Sequence, residues 1–150
     1  MKDKIIGTTT FGPSITITDP LYEKICPYQK HFDIEPGEYI CGMLCSEDDS
    51  DFIYIRKKDA SLDRMILTDH AEITSGLIGF FENKPDYKQE EWNDLAYIVE
   101  CDDNRVWLLE GDYTGFFALS FSLSEYDHDR SPIFMNLNNK GEINALKIQI

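Results

Sequence analysis

The sequence predicts a single mainly β domain of the α+β class over residues 1–150: an antiparallel β-sandwich or open barrel with one main helix packed on it. Three observations carry that expectation. Short runs rich in β-branched and aromatic residues recur along the chain, bounded by Gly, Pro, Asn or Asp. Residues 74–81 are apolar enough for a buried strand and give way sharply to a polar run over 82–94. There, Trp92, Leu95, Ala96 and Val99 fall on one helical face, with Glu90, Glu91 and Asp94 off it.

Taken in order, Ser14–Thr18 alternates strictly and reads as a half-buried strand, stopped by Asp19 and Pro20. Residues 21–31 read as irregular or briefly helical, interrupted by Pro27. The turn formed by Glu35, Pro36, Gly37 and Glu38 launches a dense apolar strand over 39–45. An acidic turn over 46–51 then leads into Phe52–Arg56, which makes the two runs a hairpin. A further strand begins at Met65 and ends near Asp69 and His70. After the 74–81 stretch, Lys84 and Pro85 set up a helix start at Asp86 or Tyr87, over by residues 102–104. Val106–Leu109 is a strand broken by Gly111 and Asp112. Residues 116–123 alternate, with Phe117, Leu119, Phe121 and Leu123 on one face and Ala118, Ser120 and Ser122 on the other. That pattern fits an antiparallel strand with one wet side or one facing a second layer. Residues 133–137, a turn over 138–141 and residues 143–150 form the clearest hairpin. The expected total is about eight to ten strands.

The chain has 28 acids against 14 bases, a net charge of −14 and a pI near 4.4. Such a field repels phosphate backbones and attracts basic proteins, so the expected partner is a basic, toxin-like protein and neither nucleic acid nor membrane. No run approaches the ~18 apolar residues of a membrane span, and the charged N-terminus lacks a signal-peptide core. A cytoplasmic location is expected. The four cysteines, Cys26, Cys41, Cys45 and Cys101, contain no C-x-x-C pair. Cys41 and Cys45 lie on one strand face roughly 13 Å apart, too far for a disulfide, so buried free thiols are expected ahead of a zinc site.

Short landmarks run through the chain in order: Ile15, Ile17, Asp19, Pro20 and Tyr22; Pro36, Gly37, Glu38 and Tyr39; Ser75, Gly76, Leu77, Gly79, Phe80 and Phe81. They continue with Pro85, Asp86 and Tyr87, then Glu91 and Trp92, and end on Asn139, Lys140, Gly141, Glu142, Ile143, Ala145, Leu146, Lys147 and Ile148. Together they resemble a family of small bacterial and phage proteins labelled only as a domain of unknown function. Similarity in kind to toxin immunity proteins is weaker. The family's Asp before the Ser/Ala-Gly pair is Thr74 here, and its glycine-rich approach to the last hairpin is Asp127 to Pro132 without glycine. The resemblance implies a β-rich fold and supplies no activity.

Catalytic signatures are missing from the sequence. His31, His70 and His128 share no metal-ligand spacing, and neither a G-x-S-x-G elbow nor a phosphate loop occurs. The acidic run 47–51 lacks the spaced acids and central Gly of a calcium loop. Asp127, His128 and Asp129 are adjacent on an extended chain and diverge to opposite faces. No cofactor, metal or enzymatic activity is expected. The non-random feature is charge placement. Residues 82–129 hold the acids Glu82, Asp86, Glu90, Glu91, Asp94, Glu100, Asp102, Asp103, Glu110, Asp112, Glu125, Asp127 and Asp129, against only Lys84, Lys88 and Arg105. The expected partner-binding set is Asp86, Tyr87, Glu90, Glu91, Asp94, Asp102, Asp103, Asp112, Tyr113 and Tyr126, carboxylates interleaved with aromatic anchors. It belongs to a non-enzymatic protein-binding module, an immunity protein for a basic toxin being one that fits. The alternative is a small-ligand or hydrolytic pocket at the open end of the sandwich, near Asp19, Tyr22 and His70. A DNA mimic is a third possibility.

Overall fold

The computed structural model describes residues 2–20, 29–47, 51–72, 76–82, 97, 105–110, 114–119 and 130–150. The strands are β1 (Lys2–Phe11), β2 (Ser14–Thr18), β3 (Lys30–Asp33), β4 (Gly37–Cys45), β5 (Phe52–Arg56) and β6 (Ile66–Glu72). They continue with β7 (Leu77–Phe81), β8 (Val106–Leu109), β9 (Gly115–Leu119), β10 (Arg130–Leu137) and β11 (Ile143–Gln149). They build a six-stranded sheet, β1-β4-β5-β11-β10-β6, and a five-stranded sheet, β3-β2-β7-β9-β8, with antiparallel pairing throughout both. No barrel closes. The sheets stack around one apolar core to which both contribute: Tyr39, Cys41, Ile53, Ile55, Ile133, Leu146 and Ile148 from one, Ile15, Ile17, Ile78, Phe80, Phe116 and Ala118 from the other.

The expected β-sandwich is therefore present, and the helical half of the expected class is not seen. No helical element is described; of the helix expected from Asp86, Tyr97 alone is among the described residues, in helical conformation and exposed, and the rest lies outside them.

The central stretch is β7, buried along its whole length between β2 and β9. Gly79 is needed there because a Cβ would sit 2.3 Å from Phe117 Cβ and 2.4 Å from the Phe116 carbonyl oxygen. The side of β9 away from the core meets a second cluster of Leu77, Phe81, Trp107 and Phe117. Both faces of the five-stranded sheet are apolar here, so the described part of β9 has no wet side.

Several strand boundaries differ from the sequence reading; β4 and β10 start two and three residues early, at Gly37 and Arg130, and three other strands show why. β1 was not expected, because its exposed Lys2, Asp3 and Lys4 hide the period of a strand that, among the described strands, pairs on one side only. β3 begins inside the segment expected to be irregular, recruited by β2 through the Ile15–Phe32 register and a 3.0 Å hydrogen bond between Thr16 Oγ1 and His31 Nδ1. β6 runs on past His70 to Glu72, because β10 pairs with it that far. In these cases tertiary pairing overrides weak local pattern.

Register defines two ends of the sandwich. At one, the Arg105–Asp51 ion pair (2.6 Å) links the start of β8 to the start of β5. The other holds the start of β4, the β10–β11 turn, and the ends of β7 and β8.

Candidate functional site

Two recesses lined by described residues open at this second end, and Glu38 belongs to the walls of both. Glu38 stands opposite Thr10 in the β1–β4 ladder, just past the Pro36-Gly37 turn that starts β4. Gly37 has φ 134°, a conformation that favours glycine, so the turn fixes where Glu38 emerges.

The larger recess is a cleft of about 650 Å³ lined by Glu35, Lys57, Lys58, Asp59, Asn138 and Asn144, among others. Its polar groups largely satisfy one another. Asn138 Oδ1 accepts from the backbone N–H of Lys140 (2.8 Å) and Glu142 (2.9 Å), while its Nδ2 donates to Glu35 Oε2 at 3.0 Å. Asn136 Nδ2 donates to Asn144 Oδ1 at 2.8 Å. Lys57 Nζ donates to the Pro36 carbonyl at 2.8 Å and lies 5.4 Å from the centre of the Tyr39 ring. The Tyr39 hydroxyl donates to the Glu35 carbonyl at 2.6 Å. Burial first, then the charges of Glu35 and Glu142, push that phenol well above its usual range.

The smaller recess is a groove of about 410 Å³ lined by Thr8, Thr9, Thr10, Glu38, Glu82, Glu110 and Thr114. Glu82 follows β7 and Glu110 follows β8, each at the point where an apolar run ends. The Glu82 N–H donates to the Thr114 carbonyl at 3.0 Å, tying the end of β7 to the start of β9. No Lys or Arg is among the described lining, and the ion pairs among the described residues, Lys30–Asp69 and Arg105–Asp51, involve none of the three glutamates. A groove walled by one sign of charge concentrates the field inside it. The charge reaches inward as well. Burial, then the Glu110 carboxylate, raise the Cys41 thiol to about 12, so it stays protonated and a poor nucleophile at neutral pH. Cys41 and Cys45 are both free. Among the described residues no group of three His, Cys, Asp or Glu is placed to hold a metal ion.

Asp86, Tyr87, Glu90, Glu91, Asp94, Asp102, Asp103, Asp112, Tyr113 and Tyr126 all lie outside the described residues. So do Tyr22, Cys26, Cys101, Asp127, His128 and Asp129. Of the thirteen acids in the 82–129 window, two are described, Glu82 and Glu110, and both line the groove. Asp19 is wholly buried at the end of β2, and His70 is exposed on β6. Neither lines a recess among those described.

Sequence reasoning counted Glu82 and Glu110 without singling them out, placed Glu38 only in a turn, and gave the threonines of β1 no role. The signal was there in part: an acid directly after a buried strand marks a strand end facing water. What brings two such ends beside Glu38, at the start of β4, is how the two sheets stack, which no local pattern carries. No helix of the described residues is long and apolar enough to cross a membrane. Comparisons with protein-family models, with curated proteins and with solved structures give no match.

Proposed function

We propose that this chain is a non-enzymatic acidic module that docks a basic protein, and that the groove walled by Glu38, Glu82 and Glu110 is part of the docking surface. The observation that carries the reading is the convergence of these three carboxylates, drawn from β4 and the ends of β7 and β8, on one recess with no cation in its described lining. The net charge of −14 adds long-range attraction for a cationic partner. Neutralising a basic toxin is a role that fits both features, with opposite fields speeding encounter.

The test is binding to the products of neighbouring genes, with the chain compared against its Glu38→Gln, Glu82→Gln, Glu110→Gln triple variant. A basic neighbour is expected to bind the parent chain and to lose most of its affinity for the variant. If no basic neighbour binds, or if one binds both proteins equally well, the reading fails.

A second reading, a small-ligand site, has the 650 Å³ cleft in its favour, since that volume is within the range of ligand pockets. It is the weaker of the two, because Asn136, Asn138, Asn144 and Lys57 are already engaged in holding the chain turns around it.

A further inference from the structure

We infer that the groove takes its basic partner as an extended strand, added at residues 8–10 to the edge of β1 that no described strand covers. The inference rests on the acidic-docking reading and specifies the form of the partner.

The lining itself indicates an edge. In a strand, successive side chains point to opposite faces, so a recess on one face is lined by every second residue. Here Thr8, Thr9 and Thr10 all line the groove. Thr9 is opposite Tyr39 and is 7% exposed, whereas Thr8 and Thr10 are exposed. A recess touching all three runs along the strand's side, where β1 has β4 as neighbour in one direction and, among the described strands, none in the other. Edge strands present alternate N–H and C=O groups to whatever lies beside them, and extended peptides pair with such edges.

The two halves of β1 differ in how open they are to pairing. The first half carries Lys2, Asp3 and Lys4 and ends in a register shift between Ile5 and Gly7, two features that discourage strand addition. From Gly7 to Phe11 the register against β4 is unbroken, and the exposed residues are uncharged, β-favouring threonines. The guard on this half is the surrounding charge. Glu38 stands on the six-stranded sheet, and Glu82 and Glu110 stand at the ends of strands in the five-stranded one, so the carboxylates flank the groove from both sheets. A second copy of this acidic chain is repelled. A strand with two adjacent basic residues is matched, because alternation directs one side chain to each wall.

The test uses a defined probe, the capped peptide Thr-Val-Lys-Arg-Val-Thr-Val. Its controls are a version with Pro in place of the Val that follows Arg and a version with Gln-Gln in place of Lys-Arg. Binding is read by fluorescence anisotropy on the full chain, and amide exchange at residues 8–10 by NMR. The expected result is that the parent peptide binds, each control binds about tenfold or more weakly, and the amides slow in the complex. If the Pro peptide binds as well as the parent while the triple Glu→Gln variant weakens both, strand addition is overturned and acidic docking stands. If the triple variant binds the parent peptide unchanged, both ideas fail. If none of the peptides binds, strand addition is overturned, and docking is judged on the neighbour-gene experiment.

Discussion

The cleft beside the β10–β11 turn and the groove beside β1 have Glu38 in common, yet their polar groups are engaged differently. In the cleft the polar groups are paired: Glu35 accepts from Asn138, and Lys57 caps the Pro36 carbonyl over the Tyr39 ring. In the groove, Glu38, Glu82 and Glu110 have only threonines beside them among the described residues. Partnered polar groups hold the chain in place, and removing one leaves another unsatisfied. Unpartnered like charges do nothing for the fold and repel one another weakly. The difference separates a region that maintains structure from one available to a partner. It predicts that substitutions in the two recesses fail in opposite assays.

The largest expected effect is in the groove. Replacing Glu38, Glu82 and Glu110 together by Gln should weaken binding of the basic partner about a hundredfold, roughly 2.7 kcal/mol. The melting temperature should stay level or rise slightly as mutual repulsion is relieved. A variant that unfolds would erase the distinction between the recesses. Next comes Asn138→Ala in the cleft, expected to cost about 1–2 kcal/mol in denaturant unfolding because two turn N–H groups lose their acceptor, with binding unchanged. Lys57→Met, which removes the hydrogen bond to Pro36 and the cation over Tyr39, should cost about 1 kcal/mol.

The smallest effect is one of pH. Tyr39 beside the cleft and Tyr54 on β5 both have raised phenol pKa values. Tyr54 goes to about 12, through burial first and then its 2.5 Å hydrogen bond to Asp3. A raised phenol pKa means the folded chain keeps a proton that the unfolded chain gives up. Stability contributed by the neutral phenols is therefore complete below about pH 10 and is lost as pH climbs from there towards 12. Tyr54→Phe should flatten the alkaline fall in unfolding free energy while lowering stability modestly at neutral pH. Binding through the glutamates should not follow that profile.

Much of the sandwich was legible because its inner strands obey simple patterns. Ser14–Thr18, Phe52–Arg56 and the β10–β11 hairpin announce themselves by β-branched residues and turn chemistry, and Gly141, with φ 78°, sits in the turn expected over 138–141. β1 and β3 did not, since edge strands with charged and polar residues are defined by their neighbours. The groove was legible only as an excess of acids after residue 82. That Glu82 and Glu110 meet Glu38, from a different sheet and more than forty residues earlier in the chain, depends on how the two sheets stack. The acidic residues named from sequence as the docking surface lie outside the described residues, and the groove adds Glu38, Glu82 and Glu110, to which the sequence reading gave no site role.

Hydrogen-exchange mass spectrometry of the full chain, alone and saturated with its basic partner, separates the two recesses. Protection is expected in the segments containing residues 8–11 and Glu110, with the asparagine-lined cleft exchanging as before. Protection centred on the cleft or on β6, with the β1 edge unchanged, would contradict that expectation.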